Sequence, residues 1–147
     1  MNKHLSVSGD PWTVVIDPFG EDIQELRRNL KLDNLAKIGR DKAELNLAIF
    51  LRDASENMVA GITGMLWGDT MEIDYLWVDE SFRGKGTGAR LVLSLEKSAS
   101  DRGCTTSITN IFSFQALGFY QKLGYEIFGT IPGFGGRYKK YFLRKSL

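Results

Sequence analysis

The sequence has few of the residues that disulfides, metal sites and histidine-based catalysis require. Its 147 residues include one cysteine, Cys104, and one histidine, His4. A single cysteine cannot form an internal disulfide, which favours a cytoplasmic protein. His4 lies in a terminal segment that we expect to fray, so neither a catalytic triad nor a metal cluster has its histidine. We therefore predict chemistry that needs no metal ion.

Long apolar runs and an excess of one charge are also missing. No run approaches the roughly 20 apolar residues of a membrane-spanning helix, and residues 1–10 lack the charged-then-apolar pattern of a signal peptide. Nineteen basic and eighteen acidic residues give a net charge of +1, whereas nucleic-acid-binding proteins are usually strongly basic. We expect neither a membrane nor a nucleic acid as a partner.

The charges are nevertheless unevenly distributed along the chain. Residues 1–82 contain 8 basic and 15 acidic residues, and residues 83–147 contain 11 basic and 3 acidic residues. In one folded domain this asymmetry favours separate surfaces for a cationic and an anionic ligand. A chance distribution with a solvated basic tail explains the same counts, so the motifs have to decide.

Glycine is the residue in excess. The chain has 16 glycines and only 3 prolines, and glycine at about 11% exceeds a background of about 7%. This is too little for a low-complexity linker, so we expect glycines at specific backbone positions. The length suits one domain, and we predict that residues 1–147 form a single domain.

Hydrophobic periodicity predicts a mixed α/β (α+β) fold. Helices are predicted over residues 22–38, with a possible break at 33–34, over residues 88–103, and over residues 116–123. Strands are predicted over residues 12–17, 45–52, 58–67, 71–78, 105–112, 125–130 and 137–143. Because β-α-β crossovers are right-handed, the strands on either side of the second helix should be parallel.

The strongest chemical signal is the segment RGKGTG at residues 83–88, between a strand and a helix. Alternate glycines let successive N–H groups cradle an anion, and the helix N-terminus favours a phosphate there. A Walker A loop fails because its first glycine and its Ser/Thr are Asp79 and Gly86 here. A dinucleotide fingerprint lacks its acidic residue near Phe112. Coenzyme A is a third possible phosphate-bearing ligand.

Two motifs in this order make the chain similar to a known family. Residues 83–88 resemble the pyrophosphate motif R/Q-x-x-G-x-G/A of the GNAT superfamily of acyl-CoA-dependent N-acetyltransferases. Residues 116–125, ALGFYQKLGY, resemble that family's segment A-x-x-F-Y-x-K-x-G-F/Y. The resemblance implies the GNAT fold: a mostly antiparallel mixed sheet with helices on its flanks and two parallel strands that splay apart at the CoA site. Homodimers are common in the superfamily.

The resemblance also implies roles for individual residues. Acetyl-CoA would place its pyrophosphate on the loop formed by Arg83, Gly84, Lys85, Gly86, Thr87 and Gly88. The pantetheine arm would follow the strand that ends at Leu76, Trp77 and Val78. Tyr120 matches the tyrosine that often protonates the departing thiolate. Ala116 and Phe119 would pack against the arm or simply fill the core. Independently of the resemblance, the basic C-terminal half suits a polyanionic cofactor, and Lys122 and Arg90 could contact its outer phosphates or be solvated surface residues. Ser113 stands where many members carry a pantetheine-binding asparagine, and Asn110 lies three residues earlier.

An acceptor amine has to be neutral to attack, so a nearby carboxylate is useful. Glu72 falls where some family members carry a general base. Period-two alternation along the strand places Glu72 and Asp74 on one face with Leu76 and Val78. The alternative is that both carboxylates face solvent or pair with basic neighbours. We also expect the glycine-rich segment 131–136 to form a hairpin loop that could line the acceptor mouth.

The sequence therefore predicts an N-acetyltransferase that moves the acetyl group of acetyl-CoA to a primary amine of a small molecule by direct transfer. An acetyltransferase for protein or peptide amines is one alternative. A non-catalytic acyl-CoA sensor is another, and a nucleotide-binding regulator that uses the same glycine loop is a third. The identity of the acceptor does not follow from the sequence.

Overall fold

A computed structural model describes residues 4–6, 13–39 and 44–147 of the chain. The chain divides into two compact units, residues 1–43 and residues 44–147. Within the described ranges, no helix is both long enough and apolar enough to cross a membrane.

The first unit contains a small sheet and one long helix. Strand β1 (His4–Ser6) pairs with the antiparallel strand β2 (Thr13–Val15), and helix α1 spans Gly20–Ile38. The predicted helix break at residues 33–34 is wrong, because α1 continues through them. It ends as predicted at Gly39, whose φ of 87° only glycine adopts readily. The pairing of β1 contradicts the expectation of a frayed terminus, and Trp12, predicted to start β2, lies outside the described residues.

The second unit is built on a six-stranded sheet in the order β3-β4-β5-β6-β8-β7. The only parallel pair in this sheet is β5–β6, and its other neighbours are antiparallel. The prediction of parallel strands on either side of the second helix is therefore confirmed. The strands are β3 (Leu45–Arg52), β4 (Met58–Trp67), β5 (Thr70–Val78), β6 (Thr106–Phe112), β7 (Glu126–Phe134) and β8 (Tyr138–Ser146).

Two helices belong to this unit, α2 (Thr87–Ser100) and α3 (Leu117–Lys122). Helix α2 buries the apolar stripe that periodicity predicts, and side chains of β4, β5, β6 and β8 complete the core. Full burial of one such aliphatic side chain stabilises the fold by about 1.5–3 kcal/mol. The fully buried members are Ala60, Ile62, Met71, Ile73, Val92, Leu95, Ala99 and Leu143.

Strand β5 contains a bulge that the sequence pattern does not predict. Ile73 pairs with Gly64 and Tyr75 pairs with Thr63, so Asp74 is the extra residue in the register between β5 and β4. A bulge shifts the alternation of side chains by one residue. Glu72 therefore lies on the face opposite α2, whereas Leu76 and Val78 lie on the α2 face with the core. The prediction that Glu72 shares a face with Leu76 and Val78 is wrong for this reason.

The parallel strands β5 and β6 separate after three residue pairs. Thr70, Met71 and Glu72 pair with Thr106, Ser107 and Ile108, and pairing then stops. At the next position of β6 the Thr109 hydroxyl donates a hydrogen bond to the Ile73 carbonyl, 3.1 Å away. The sheet is thus open between the carboxyl ends of the two strands. This agrees with the separation of parallel strands that the resemblance implies.

The C-terminal hairpin is more regular than predicted. The expected loop over residues 131–136 is wrong for its first four residues, because β7 continues to Phe134 and pairs with β8. Only residues 135–137 form the turn. Pro132 and Gly133 suggest a loop in the sequence, but Ile131 and Phe134 keep their cross-strand partners Lys140 and Tyr138.

A buried polar network ties α2 to the sheet. The Tyr125 hydroxyl donates to Glu96 at 2.8 Å and contacts the Ser107 hydroxyl at 2.7 Å. Lys145 on β8 forms an ion pair of 2.6 Å with the other Glu96 oxygen. Burial raises the pKa of the Tyr125 phenol, so the hydroxyl stays a donor. The network satisfies a carboxylate that would otherwise be unpaired in the core.

Replacement of Lys145 by methionine should destabilise the protein by about 1–3 kcal/mol, because it leaves the buried Glu96 carboxylate without its cation. The matched control is Lys97→Met, which breaks the exposed pair of Lys97 with Asp101. We expect the control to change stability by no more than about 0.5 kcal/mol. Urea unfolding of both variants measures the difference, and equal losses would contradict a structural role for the buried pair.

Candidate functional site

A cleft of ≈ 450 Å³ lies at the carboxyl end of β5, between the glycine loop and the start of α3. Its wall is mostly apolar, and its rim carries the N-terminus of α2. It is lined by Leu76, Trp77, Val78, Phe82, Arg83, Gly84, Gly86, Thr87, Gly88, Ala89, Ala116 and Phe119. Ten of these twelve residues are among the cofactor-binding residues predicted from the sequence. A long ligand with an anionic end and an apolar arm suits such a cleft.

The glycine loop is shaped to expose its amide groups. Gly84 and Gly86 have φ values of 72° and 78°, a region that other residues enter only with strain. Within the described part of the chain, no backbone hydrogen bond uses the N–H groups of residues 84–86. Gly86 is also the N-cap of α2 and lacks a capping side chain. Free amides at a helix N-terminus attract an anion.

The two cations of the loop have different surroundings. Arg83 donates from Nε to the Val78 carbonyl at 2.9 Å, which fixes its side chain beside the cleft. Lys85 bonds the Ser81 carbonyl at 3.0 Å and lies 5.6 Å from the centre of the Phe82 ring. Lys85 therefore does not line the cleft. An arginine held at one nitrogen still offers its other donors to a phosphate.

A short 3₁₀ turn over Glu80–Phe82 prepares this loop. Asp79 caps it by accepting hydrogen bonds from the Ser81 hydroxyl and backbone N–H. These bonds hold the pKa of Asp79 below its usual value. Phe82 and Ala89 line the cleft although the sequence analysis did not select them. The dinucleotide fingerprint G-x-G-x-x-G/A, which Gly84, Gly86 and Ala89 match formally, points to Ala89. The signal for Phe82 is an apolar residue directly before the arginine of the loop.

Ser113 and Lys122, like Lys85, are predicted cofactor residues that do not line the cleft. The Ser113 hydroxyl accepts a bond of 3.1 Å from the Lys139 N–H, and the Ser113 N–H donates to the Lys139 carbonyl at 2.8 Å. Ser113 thus links the β6–α3 connection to the hairpin. Lys122 is exposed on α3.

Gln115, like Ser113, uses its side chain to stabilise the β6–α3 connection. Its side-chain oxygen accepts a 2.7 Å bond from the Phe112 N–H. This bond closes the turn that leads from β6 into α3.

Tyr120 lies inside the unit and does not line the cleft. Only 6% of its surface is exposed, and its ring packs edge-on against Phe119 and Tyr125 with centroids 5.0 and 5.4 Å away. Burial raises the pKa of the Tyr120 phenol, and hydrogen bonding with Thr109 opposes this. The phenol is therefore protonated at neutral pH.

The predicted carboxylates lie on β5 near the opening between the strands. Glu72 belongs to the last residue pair before β5 and β6 separate, and it is half-buried. Asp74 is exposed in the bulge two residues later. The structure thus brings both acids to the opening, with Glu72 on the side of the sheet opposite α2.

The model of the acetyltransferase (GNAT) family matches residues 13–125. The chain belongs to this family. Blasticidin-S acetyltransferase of Streptomyces morookaense is 35% identical over 91 residues, which are 61% of this chain and 67% of that protein. The crystal structure of an acetyltransferase from Bacillus cereus matches with a TM-score of 0.72 at 25% identity, over 91% of this chain and 97% of that one. The predicted GNAT fold is confirmed.

The family also fixes the enzyme class and the co-substrate: this GNAT protein is an acyltransferase that uses acetyl-CoA. An aminoglycoside 6′-N-acetyltransferase, crystallised with coenzyme A, matches with a TM-score of 0.62 at 21% identity, over 85% of this chain and 87% of that one. The cleft fits such a ligand, because free amides of the loop suit a pyrophosphate and the apolar wall suits a pantetheine arm.

Gly86→Val should weaken binding of acetyl-CoA at least about tenfold, or ~1.4 kcal/mol. A valine at φ 78° strains the loop and turns its amides away from the ligand. Gly103→Val is the matched control, because Gly103 has a φ of 93° but lies at the other end of α2. Calorimetric titration of both folded variants with acetyl-CoA makes the comparison. Unchanged binding by Gly86→Val would disprove the loop's role.

Proposed function

We propose that this enzyme transfers the acetyl group of acetyl-CoA directly to a primary amine of a small molecule, in a complex that holds both substrates. The observation that carries the proposal is the opening between β5 and β6. The cofactor cleft lies on the α2 side of this opening, Tyr120 packs against Phe119 of the cleft wall, and Glu72 lies on the opposite face. A thioester in the opening would be accessible to an acceptor from that face.

The printed names of relatives favour a small acceptor. Blasticidin S and aminoglycosides are the acceptors named for two similar proteins. A protein or peptide amine is the alternative for the same chemistry. The non-catalytic sensor keeps only the cleft and needs neither Tyr120 nor Glu72.

The cofactor-binding roles follow the cleft. Arg83 and the amides of Gly84, Gly86, Thr87 and Gly88 would hold the pyrophosphate. Leu76, Trp77, Val78, Ala116 and Phe119 would contact the pantetheine arm. Lys85 belongs to the loop and Lys122 is the last residue of α3. Both would add long-range attraction for a polyanionic cofactor.

The transfer step needs one proton removed and one delivered. The amine nitrogen bonds to the acetyl carbon, the carbon–sulfur bond breaks, and the sulfur leaves with the electron pair. Tyr120 gives its phenolic proton to the sulfur, which yields free coenzyme A. The nitrogen loses a proton to Glu72 or to water, and solvent exchange restores both side chains. Because Tyr120 is inside the unit, the sulfur has to enter the opening between the strands.

A base is useful because an amine of pKa about 10.4 is neutral in only on the order of one molecule in a thousand at pH 7. Glu72 is the better candidate than Asp74, since it sits at the last strand pair before the opening. Its half-buried carboxylate could accept the proton directly or through a water molecule.

Thiol release from acetyl-CoA across a panel of nucleoside antibiotics, aminoglycosides, polyamines, amino acids and peptides tests the function. We expect release with at least one small-molecule amine. Tyr120→Phe should lower kcat for that amine about 100-fold, the range for loss of a general acid, while KM for acetyl-CoA changes less than about twofold. Since burial raises the pKa of the Tyr120 phenol, this acid should stay protonated and active through the neutral and mildly alkaline range.

Each outcome of the panel has a meaning. Release with peptides alone would favour the protein acetyltransferase. Tight acetyl-CoA binding without release for any amine would favour the sensor. Full kcat in Tyr120→Phe would show that another group protonates the sulfur.

Glu72→Gln should lower kcat/KM for the amine at pH 7 by about 10–100-fold, and the loss should shrink as pH approaches the pKa of the amine. The reason is that a neutral amine no longer needs a base. Asp74→Asn tests the second carboxylate, and Asp69→Asn in the exposed β4–β5 turn is the control. A pH-independent loss in Glu72→Gln would contradict its role as the base.

A further inference from the structure

We propose that Tyr75 and Trp77 form an aromatic platform for the acceptor, and that the acceptor is a primary amine attached to a flat aromatic or heteroaromatic ring. The ring lies on the platform while the amine reaches Glu72 and the opening between β5 and β6. The inference rests on the proposed function, because it concerns the acceptor of the same reaction.

The direction of the two aromatic side chains is the first observation. Leu76 and Val78 pack against the core on the α2 side. Side chains alternate along a strand, so Tyr75 and Trp77 point to the opposite face. Glu72 lies on that face too, and the acceptor is proposed to approach from it. The platform and the proposed base therefore belong to one side of one strand.

The exposure of the platform is the second observation. Tyr75 is 77% exposed and Trp77 is 46% exposed. Among the described residues, no other large hydrophobic side chain is as exposed as Tyr75. Exposed aromatic surface of this kind is typical of a binding site. Two residues of a strand are about 7 Å apart when one residue separates them, which suits a single or fused ring.

The apolar surface continues beside the platform on the neighbouring strands. Gly61 of β4 is the cross-strand partner of Trp77. The ring of Phe50 on β3 lies over this glycine, since a Cβ at position 61 would come within 3.0 Å of it. Phe50 is itself exposed. A ring-bearing molecule can thus rest on apolar side chains from the opening outward.

The platform is continuous with the cofactor cleft. Trp77 also lines that cleft, so one residue belongs to the arm of acetyl-CoA and to the acceptor face. Strand β5 pairs with β6 only as far as Glu72, and the platform follows directly along the open part of the strand. Three residues of an extended strand span roughly 10 Å, so a ring on Tyr75 lies within reach of an amine held by Glu72.

The charges of this face favour a ring-bearing amine over a polycation. Glu72 is in one row with Arg144 and Glu126, because cross-strand partners share a face. Lys140 lies on the same face, four residues before Arg144, and Asp74 lies in the bulge nearby. Acids and bases are thus mixed, so a polycation gains little here. Stacking on an aromatic side chain contributes affinity without any added charge.

Two amines that differ only in the flatness of their ring test the platform. Phenethylamine carries a flat benzene ring, and cyclohexylethylamine carries the saturated ring of nearly the same size. Tryptamine adds a larger flat ring, and spermidine and kanamycin represent polycations. Thiol release from acetyl-CoA gives kcat and KM for each amine.

We expect kcat/KM for phenethylamine or tryptamine to exceed that for cyclohexylethylamine and for both polycations by at least about tenfold, the effect of stacking on an aromatic side chain. Tyr75→Ala should reduce this preference about tenfold, with KM for acetyl-CoA unchanged within about twofold. Tyr75→Phe keeps the ring and should keep the preference. The matched control is Trp67→Ala, because Trp67 is exposed on the same face at the end of β4 away from the opening.

Each contrary result has a separate meaning. Equal kcat/KM for phenethylamine, tryptamine and cyclohexylethylamine, or a preference for spermidine or kanamycin, would overturn the platform and leave the proposed transfer intact. A preference that survives Tyr75→Ala would also overturn it. If Tyr75 instead lies between two copies of the chain, Tyr75→Ala should lower the mass found by sedimentation and slow every amine equally. Release with no amine at all would refute the proposed function and this inference with it.

Discussion

The early end of the pairing between β5 and β6 is the constraint on which the other features of the site depend. Two parallel strands that lie side by side normally satisfy each other's backbone groups, and here they do so over three residue pairs. Beyond them other groups take over: the Thr109 hydroxyl satisfies Ile73, and Arg83 satisfies Val78. Side chains replace the ladder, and the space between the strands becomes available to a substrate.

The anion-binding end of the site follows from what comes directly after β5. Strand β5 ends beside the opening to β6 and leads through a 3₁₀ turn into a loop whose glycines have positive φ. The loop then starts α2, so unpaired amides and the positive end of a helix meet at one place. The apolar stripe of α2 fixes this helix on the core, and the buried Glu96–Lys145 pair holds its far half. Helix α2, which these contacts fix to the sheet, therefore holds the binding loop in place.

Sequence patterns predict the long elements well and the irregular ones poorly. The limits of β3 and β4 and the buried stripe of α2 agree with the periodicity, because alternation and helical spacing persist over eight or more residues. The bulge at Asp74 leaves no trace in the alternation, and so the faces assigned to Glu72 and Leu76 disagree with the structure. Motif position places Ser113 at the pantetheine arm, yet backbone groups of Lys139 in the hairpin bond its polar atoms. Local composition cannot reveal either effect, since both depend on a neighbouring strand.

For the proposed role of Tyr120 as the acid, its environment combines two opposed requirements. A donor that must be protonated when the substrate binds benefits from burial, because burial raises the pKa of the phenol. The same burial makes the phenolate harder to form, which slows release of the proton to the sulfur. A hydrogen bond that favours the ionised form reduces this second cost without exposing the phenol to water. Hydrogen bonding with Thr109 lowers the pKa of the Tyr120 phenol against the effect of burial, and so acts in this direction.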